Sequence, residues 1–313
     1  MSWQPSASIE ALKERGMFYR YIRDFFYGRD VLEVETPLLS HAAVSDANLL
    51  PVVVQCMGKA SYLHTSPEYP MKRLLASGSG DIFQICKVFR NEELGSRHNP
   101  EFSMLEYYRL HFNVATLKDE VAQLVGDYLN IQTRQDYSYR QALIKYAHVD
   151  PFAASDEQLS EMVVPFVGSL TLNRDECLDI IMSHVVEPLL PKNCLVFVSQ
   201  YPASQAALAQ TYENHEGHII AERFELYVNG LELANGYHEL TDIFEQKKRF
   251  AIEKVKRENQ LGVQRETDQH FLDALQHGLP NCAGVALGLD RILMLKLGAK
   301  NISEVISFNF DRA

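Results

Sequence analysis

Cysteine is scarce in this chain of 313 residues: Cys56, Cys86, Cys177, Cys194 and Cys282 are scattered, odd in number and never spaced as C-x-x-C. That spacing argues against a disulfide framework and against a zinc site built on paired thiolates, leaving five core or incidental thiols. No apolar run approaches the ~18 residues that a membrane span needs. The opening Met-Ser-Trp-Gln-Pro also lacks a charged leader followed by an apolar stretch, so a soluble cytoplasmic protein with no membrane partner is expected. Low-complexity tracts and linkers rich in Pro, Gly or Ser are missing too, and with 46% hydrophobic residues the chain can bury a large core; one domain over 1–313 is expected. Positive charge is in deficit. The formal net charge of -11 leaves no overall basic footprint for nucleic acid, although a local patch can exist inside an acidic total.

What is present is a mixture of helical and strand periodicities. Phe18, Tyr21, Ile22, Phe25 and Phe26 repeat at i, i+3, i+4, i+7, which predicts an amphipathic helix from Ser8 to a stop at Gly28. Val31 to Thr36 then reads as a strand ending at Pro37. Ile82 to Phe89 and Met104 to Leu110 read as two longer strands joined by the polar segment Glu93 to Pro100. Leu117 to Ser199 reads as helical and carries no functional signal. Asn229-Gly230 between two strand-like runs predicts a tight hairpin. Asp242 to Leu261 reads as a charged helix with Asp242 at the N-cap, Glu245 three residues in and Gly262 behind it. Gly284 to Leu287 reads as a short strand feeding a helix from Leu289 to Leu297 that Gly298 ends. Strands and helices that do not alternate regularly argue for an α+β fold.

Three stretches carry chemistry. On the strand after the polar loop, side chains at even positions share a face, so Phe102, Glu106 and Tyr108 project together: an aromatic platform, a carboxylate and a phenol. Arg90 and Glu92 likewise share a face on the partner strand; a solvated strand face with surface ion pairs is the competing reading. In the hairpin, a regular two-residue loop pairs Tyr227 with Glu232 and sets Ala234 opposite Glu225, so that Glu225 and Glu232 are diagonal neighbours ~7–8 Å apart at the backbone. Two carboxylates that close repel unless a cation lies between them, and magnesium with a polyphosphate suits such a pair; an exposed hairpin that tolerates like charges is the alternative. Asn235 has the wrong parity for that face unless a bulge, expected at Gly236, re-aims it. Finally, Gly284-Val-Ala-Leu-Gly-Leu-Asp-Arg291 places Arg291 in a first helical turn, where a cation is disfavoured unless an anion or a nearby carboxylate sits beside it.

Together these stretches resemble, in order, the three signature motifs of class II aminoacyl-tRNA synthetases: the helix and strand ending at Pro37, the F-R-N-E strand pair, and the G-L-G-L-D-R strand and helix. The likeness is strongest to the lysyl enzymes, through Ser66-Pro67-Glu68-Tyr69 with Lys72-Arg73-Leu74, His98-Asn99-Pro100-Glu101-Phe102, and Glu232 to Leu240. It implies a catalytic domain with a mixed, mainly antiparallel sheet flanked by helices, and activation of an amino acid with ATP and Mg2+. By this resemblance Arg90 and Arg291 are catalytic. Arg90 holds the α-phosphate and the substrate carboxylate, Glu92 the adenine amino group, and Phe102 and Arg291 sandwich the adenine. Arg97, His98 and Asn99 reach ATP, as do Asn91, Leu233 and Gly288, while Glu225 and Glu232 hold magnesium and ATP. Glu68, with Ser66 and Pro67, binds the backbone-side amine of the substrate, Asn235 its carboxylate, and Glu239, Tyr108 and Glu106 its distal ammonium. Several carboxylates in one pocket suit a dicationic ligand such as lysine, since a buried ammonium without a counter-charge is costly.

The chain also departs from the lysyl enzymes. The first motif's helix begins near residue 9, which leaves no room ahead of it for their oligonucleotide-binding barrel, so no tRNA anticodon binding is expected. Ser66 stands where they have alanine, and Ala42-Ala43 where they have paired glycines. A hydroxyl at Ser66 suits an amine moved along the carbon chain, as in β-lysine; a neutral exchange of small residues is the other reading. A trimmed lysyl-type chain of this kind resembles the protein-modifying paralogues of the lysyl enzymes, and that resemblance implies transfer of (R)-β-lysine, or lysine, to a lysine side chain of translation elongation factor P. Acylation of an RNA and a non-catalytic regulatory role are the alternatives. A homodimer is implied by the first motif. Lys247, Lys248, Arg249, Lys254, Lys256 and Arg257 form either a docking face for an acidic partner or a solvated helix face.

Overall fold

The computed structural model describes residues 3–44, 49–91, 94–261 and 267–313, without the side chains of 257 and 259–261. The chain forms two compact units, one of Met1–Phe112 with Leu240–Ala313 and the other of Asn113–Glu239. In chain order the first contains α1 (Ile9–Tyr27), β1 (Leu32–Glu33), β2 (Leu39–Ser40), β3 (Val52–Cys56), β4 (Lys59–Leu63), α2 (Glu68–Ala76), β5 (Ile82–Phe89) and β6 (Glu101–Leu110). The second contains α3 (Val114–Leu129), β7 (Arg134–Ser138), α4 (Tyr139–Ala147), α5 (Asp156–Val167), α6 (Arg174–Ile181), the short α7 (Glu187–Leu189), β8 (Leu195–Pro202), β9 (Thr211–Glu213), β10 (Ile219–Val228) and β11 (Leu231–His238). The first unit resumes with α8 (Ile243–Leu261), α9 (Gln269–Gly278), β12 (Cys282–Gly288) and α10 (Leu289–Leu297).

The strands of the first unit run in the order β1-β5-β6-β12; β1 joins β5 in parallel and the other two pairings are antiparallel. A separate antiparallel sheet has the order β2-β4-β3. Helix α1 starts where the Ser8 side chain accepts the Ala11 N–H, and its buried stripe of Phe18, Ile22, Phe25 and Phe26 covers one face of the sheet. Phe26 stacks on Phe83 at 4.6 Å between ring centres and meets Tyr107 at 4.8 Å. Truncating Phe26 to alanine would cost about 3–5 kcal/mol. Because Phe83 and Tyr107 are register partners, α1 takes the odd-numbered side chains of β5 and β6 and leaves the even-numbered ones to the opposite face. That division places Phe102, Glu106 and Tyr108 together.

In the second unit β11, β10, β8 and β7 are neighbours in that order, antiparallel except for the parallel β7–β8 pair, with β9 beside β10. Its core is built from α4, α5 and α6 packed on the sheet through Tyr139, Leu143, Leu159, Val163, Leu178 and Ile181. The three N-caps Ser138, Ser155 and Asn173 each form a capping box, the local signal that starts these helices.

Several expectations need correction. The region from Leu117 to Ser199 is not wholly helical, since β7 and most of β8 lie in it. Leu195-Val-Phe-Val is a continuous apolar run, which has no alternation to betray a strand buried on both faces. The strand expected over Val31 to Thr36 is regular only at Leu32–Glu33, with one further bond from Val34 N to Phe83 O. β6 begins at Glu101, three residues before the expected Met104. Asp242 does cap α8, its side chain accepting from Phe244 N and Glu245 N, whereas Gly262 lies outside the described residues. All five cysteines are free, and burial pushes the Cys86 thiol up to about 12, which keeps it protonated and inert. No helix among the described residues is long and apolar enough to cross a membrane.

Candidate active site

In the first unit the polar face of β6 centres on Glu106, which is only 3% exposed. Tyr108 donates its hydroxyl to Oε1 at 2.7 Å and Ser66 donates to Oε2 at 2.8 Å, so each carboxylate oxygen has its own donor. The Ser66 oxygen also accepts the Glu68 N–H at 3.0 Å, at the start of α2, where Pro67 is the N-cap. The serine hydroxyl thus donates once and accepts once, which leaves one lone pair for a ligand's N–H. Burial first, and then the charge of Glu68, push the Glu106 carboxyl up to about 8, against the opposing pull of the Tyr108 and Ser66 hydrogen bonds and of Lys72. Across the sheet, β12 sets Gly284 opposite Tyr108, Ala286 opposite Glu106 and Gly288 opposite Met104, so the strand beside this carboxylate carries only small residues on the shared face. A site of this shape can take an ammonium group.

Lys72 is a functional candidate to which the sequence reading assigned no role. It is 1% exposed and its Nζ lies 2.5 Å from Glu68 Oε1. The i, i+4 spacing of an acid followed by a lysine on one helix was the available signal. Tyr69, one residue on from Glu68, stacks on Phe271 of α9 at 4.4 Å, which holds the first turn of α2 in place.

The nucleotide-side residues of the first unit lie around the loop between β5 and β6. Arg90 N donates to Pro100 O and closes the neck of that loop, and the Arg90 guanidinium lies 5.1 Å from the centre of the Phe102 ring. Asn91 is tied through its backbone to Leu50 O, and Glu92 lies outside the described residues. Arg97 and His98 are exposed near the loop tip, where Gly95 and His98 exchange backbone hydrogen bonds. Asn99 is buried, its amide donating to Glu101 O. Arg291, in the first turn of α10 behind Gly288, donates to the His98 imidazole at 2.6 Å. Its neighbour Asp290 is buried, pairs with Arg15 of α1 and accepts the Ser103 N–H at 2.6 Å, and so ties this turn to β6.

The second unit places Glu225 of β10 under three donors: Tyr201 at 2.6 Å and Tyr227 on one oxygen, and Arg223 at 2.5 Å on the other. The hairpin register differs from the regular one. Val228 pairs with Leu231 and Tyr227 with Glu232, as expected, but a bulge at Leu233 then sets Ala234 opposite Leu226 and Asn235 opposite Glu225. The extra residue thus lies three positions before Gly236 and turns Asn235 to the Glu225 face, where its Oδ1 accepts from Arg223 Nε at 3.2 Å. Asn229 and Gly230 both have positive φ, and a Cβ on Gly230 would come within 2.6 Å of Glu187 O, so the turn requires glycine there.

The like charges of Glu225 and Glu232 are offset by Arg223. Burial opposes the charge of that guanidinium, but Glu225 first, then the phenols of Tyr237 and Tyr201, and Glu232 raise its pKa. Relief of the repulsion therefore does not by itself call for a metal. The pair still fits one: Glu225 keeps acceptor capacity on the oxygen facing Arg223, Glu232 is half-buried, and magnesium takes one or two carboxylates and completes its shell from phosphate and water. Burial, and then the charge of Glu225, raise Tyr201 and Tyr227 well above the usual phenol range, so both remain donors. Leu233 is buried, and Glu239 is buried just beyond β11, its backbone carbonyl accepting from Gln210 at 3.0 Å. On α8, Arg249 and Lys248 pair with Glu245 and Lys256 pairs with Glu253, as on a solvated helix face, while the Arg257 side chain lies outside the described residues.

The model of the family tRNA synthetases class II (D, K and N) matches residues 2–312. A curated protein of Salmonella typhi is 46% identical over 322 residues, covering 100% of this chain and 98% of the relative, and one of Salmonella gallinarum is 47% identical with the same coverage. Both are named elongation factor P–(R)-β-lysine ligase.

Proposed function

Because the chain belongs to the class II tRNA synthetase family (D, K and N), we propose that it activates (R)-β-lysine with ATP and transfers it to the ε-amine of a lysine of translation elongation factor P. The names of its full-length relatives support this reading. The observation that carries it is the buried Glu106 carboxylate, held by Ser66 and Tyr108 beside Glu68 and bordered by the small residues of β12. Such a site would neutralise an ammonium and would reject an aliphatic side chain, which cannot replace the lost hydration of the carboxylate.

In the first step the substrate carboxylate attacks the α-phosphate of ATP, an acyl-adenylate forms and pyrophosphate leaves. In the second the acceptor amine attacks the acyl carbonyl, AMP leaves and a proton is lost from nitrogen. Neither step needs an enzyme nucleophile, so positioning and charge stabilisation supply the catalysis. Arg90 holds the α-phosphate and the substrate carboxylate; Phe102 and Arg291 hold the adenine. Asn91, Glu92, Arg97, His98, Asn99, Leu233 and Gly288 complete the nucleotide contacts. Magnesium, when bound by Glu225 and Glu232, offsets the charge of the polyphosphate. Glu68, with Ser66 and Pro67, takes the amine nearer the carboxylate, Asn235 the carboxylate, and Glu106, Tyr108 and Glu239 the distal ammonium. The bulge at Leu233 supports the role of Asn235, because without it that side chain would face away from Glu225. A cytoplasmic homodimer is part of the proposal, in keeping with Met17 and Tyr27 left exposed on α1.

The test is pyrophosphate exchange into ATP across a panel of lysine isomers, followed by the intact mass of elongation factor P after incubation. Exchange with β-lysine and a mass gain of one acyl group are expected; acylated RNA with unmodified protein would overturn the acceptor.

A further inference from the structure

The loop between β5 and β6 carries Arg97, His98 and Asn99, yet it has little packing of its own: Leu94 is exposed, and so are residues 95–98. Its shape therefore depends on a few hydrogen bonds. Two of them come from the segment after α10, more than two hundred positions along the chain. Ile302 N donates to Ser96 O at 2.8 Å, and Phe310 N donates to Asn99 Oδ1 at 3.0 Å. Asn99, 4% exposed, uses one amide proton on Glu101 O at 2.7 Å and so links that segment directly to the first residue of β6. One lone pair and one proton of the amide are left over for a ligand.

The segment is in turn fastened to the region around α1. Ser6 donates through Oγ to Asn309 Oδ1 at 2.8 Å, accepts from Asn309 N at 3.1 Å, and donates through its backbone to Ser307 O at 2.7 Å. Arg15 donates from Nε to Val305 O at 3.1 Å. Arg15 also pairs with Asp290, so the same side chain braces the turn that carries Arg291. A continuous set of hydrogen bonds thus runs from the first helix, through residues 302–312, to the loop and to His98 with its partner Arg291.

We infer that residues 302–312 position the ATP-binding loop, with the Phe310 N–H acting through Asn99 as the positioning contact. The inference rests on the proposed function for the identity of the loop's ligand. Phe310 opens a short 3₁₀ turn, and Asn309 before it is extended at φ -77°, ψ 170°. Proline fits such a position, and the residue before a proline favours that backbone, so Phe310→Pro deletes the N–H with little disturbance of the chain path. Phe310→Ala removes the exposed ring and keeps the N–H.

In amino-acid-dependent pyrophosphate exchange, Phe310→Pro should raise KM for ATP on the order of five-fold, the worth of one hydrogen bond, and leave KM for the amino acid unchanged. Phe310→Ala should stay within about two-fold of wild type. In an Asn99→Ala background Phe310→Pro should add nothing, because its partner is already gone. Ser6→Ala, which loosens Asn309 without touching the loop, should move KM for ATP in the same direction and covers the case in which the proline variant does not fold. Equal effects of proline and alanine at Phe310, a parallel rise in both KM values, or full additivity with Asn99→Ala would each overturn the inference. Titration of the same variants with a non-hydrolysable ATP analogue separates the two ideas. Wild-type protein that binds the analogue but shows no exchange with any lysine isomer sinks the proposed function, while the strap then stands or falls on the titration.

Discussion

The ionisation of Glu106 offers the sharpest test of the amino-acid pocket. With its carboxyl raised to about 8, the group is mostly protonated in the free protein at neutral pH, and an arriving ammonium must drive the proton off before a charge pair can form. Each pH unit below the pKa adds about 1.4 kcal/mol to that cost. KM for the amino acid should therefore fall about tenfold per unit from pH 6 to pH 7, bend near 8 and then level, while KM for ATP serves as the internal control. The distal ammonium of the substrate, the group that Glu106 would meet, has a pKa of ~10.4, remains charged over this range and contributes no bend of its own. Tyr108→Phe removes a hydrogen bond that holds the pKa down, so the bend should move to higher pH. Glu106→Gln should abolish the slope and weaken the amino acid at every pH. A wild-type KM that is flat from pH 6 to 9 would show that Glu106 is ionised before the ligand arrives, and the reasoning from burial would fail. Stability gives a second readout with its own sign: the folded carboxyl keeps its proton to higher pH than the unfolded one. Its contribution is present below about 4.5 and is lost as pH rises towards about 8.

Lys72→Met should leave the Glu68 charge buried without its counter-ion and lower stability by about 3–5 kcal/mol in chemical unfolding; adding Glu68→Gln to it should restore much of the loss, and no recovery would refute the pairing. Arg223→Met should destabilise the second unit by a similar order, because Glu225 and Glu232 then face each other without a cation. An unfolding midpoint that does not change would show that another group offsets them. Glu239→Gln should weaken lysine-like substrates far more than ATP in pyrophosphate exchange, and equal losses for both would show that the pocket is misassigned.

Much of the fold was legible wherever a short-range rule sufficed. The i, i+3, i+4, i+7 repeat of α1, the Asn229-Gly230 turn and the alternation that puts Phe102, Glu106 and Tyr108 on one face each depend only on the covalent geometry of a few neighbouring residues. β8 was not legible, because its first half is buried on both faces and loses the alternation that marks a half-buried strand, and β7 was not, because Arg134-Gln-Asp-Tyr-Ser138 is a short polar run with no apolar alternation at all. The register beyond the hairpin turn was not legible either: nothing in Glu232-Leu-Ala-Asn235 announces that Leu233 is the extra residue.

The order of the motifs and the kinds of side chain offered to a nucleotide and a diamine are written in the linear chain, since family likeness and side-chain chemistry need no third dimension. What tertiary structure alone decided is the state of those side chains: that Arg223 shields two glutamates, that Ser66 is committed to Glu106 and the start of α2, and that Glu106 holds its proton near neutrality. The physical reason is that desolvation and charge pairing depend on which distant residues are brought within a few ångströms, and residues 66 and 106, or 99 and 310, become neighbours only when the chain has folded.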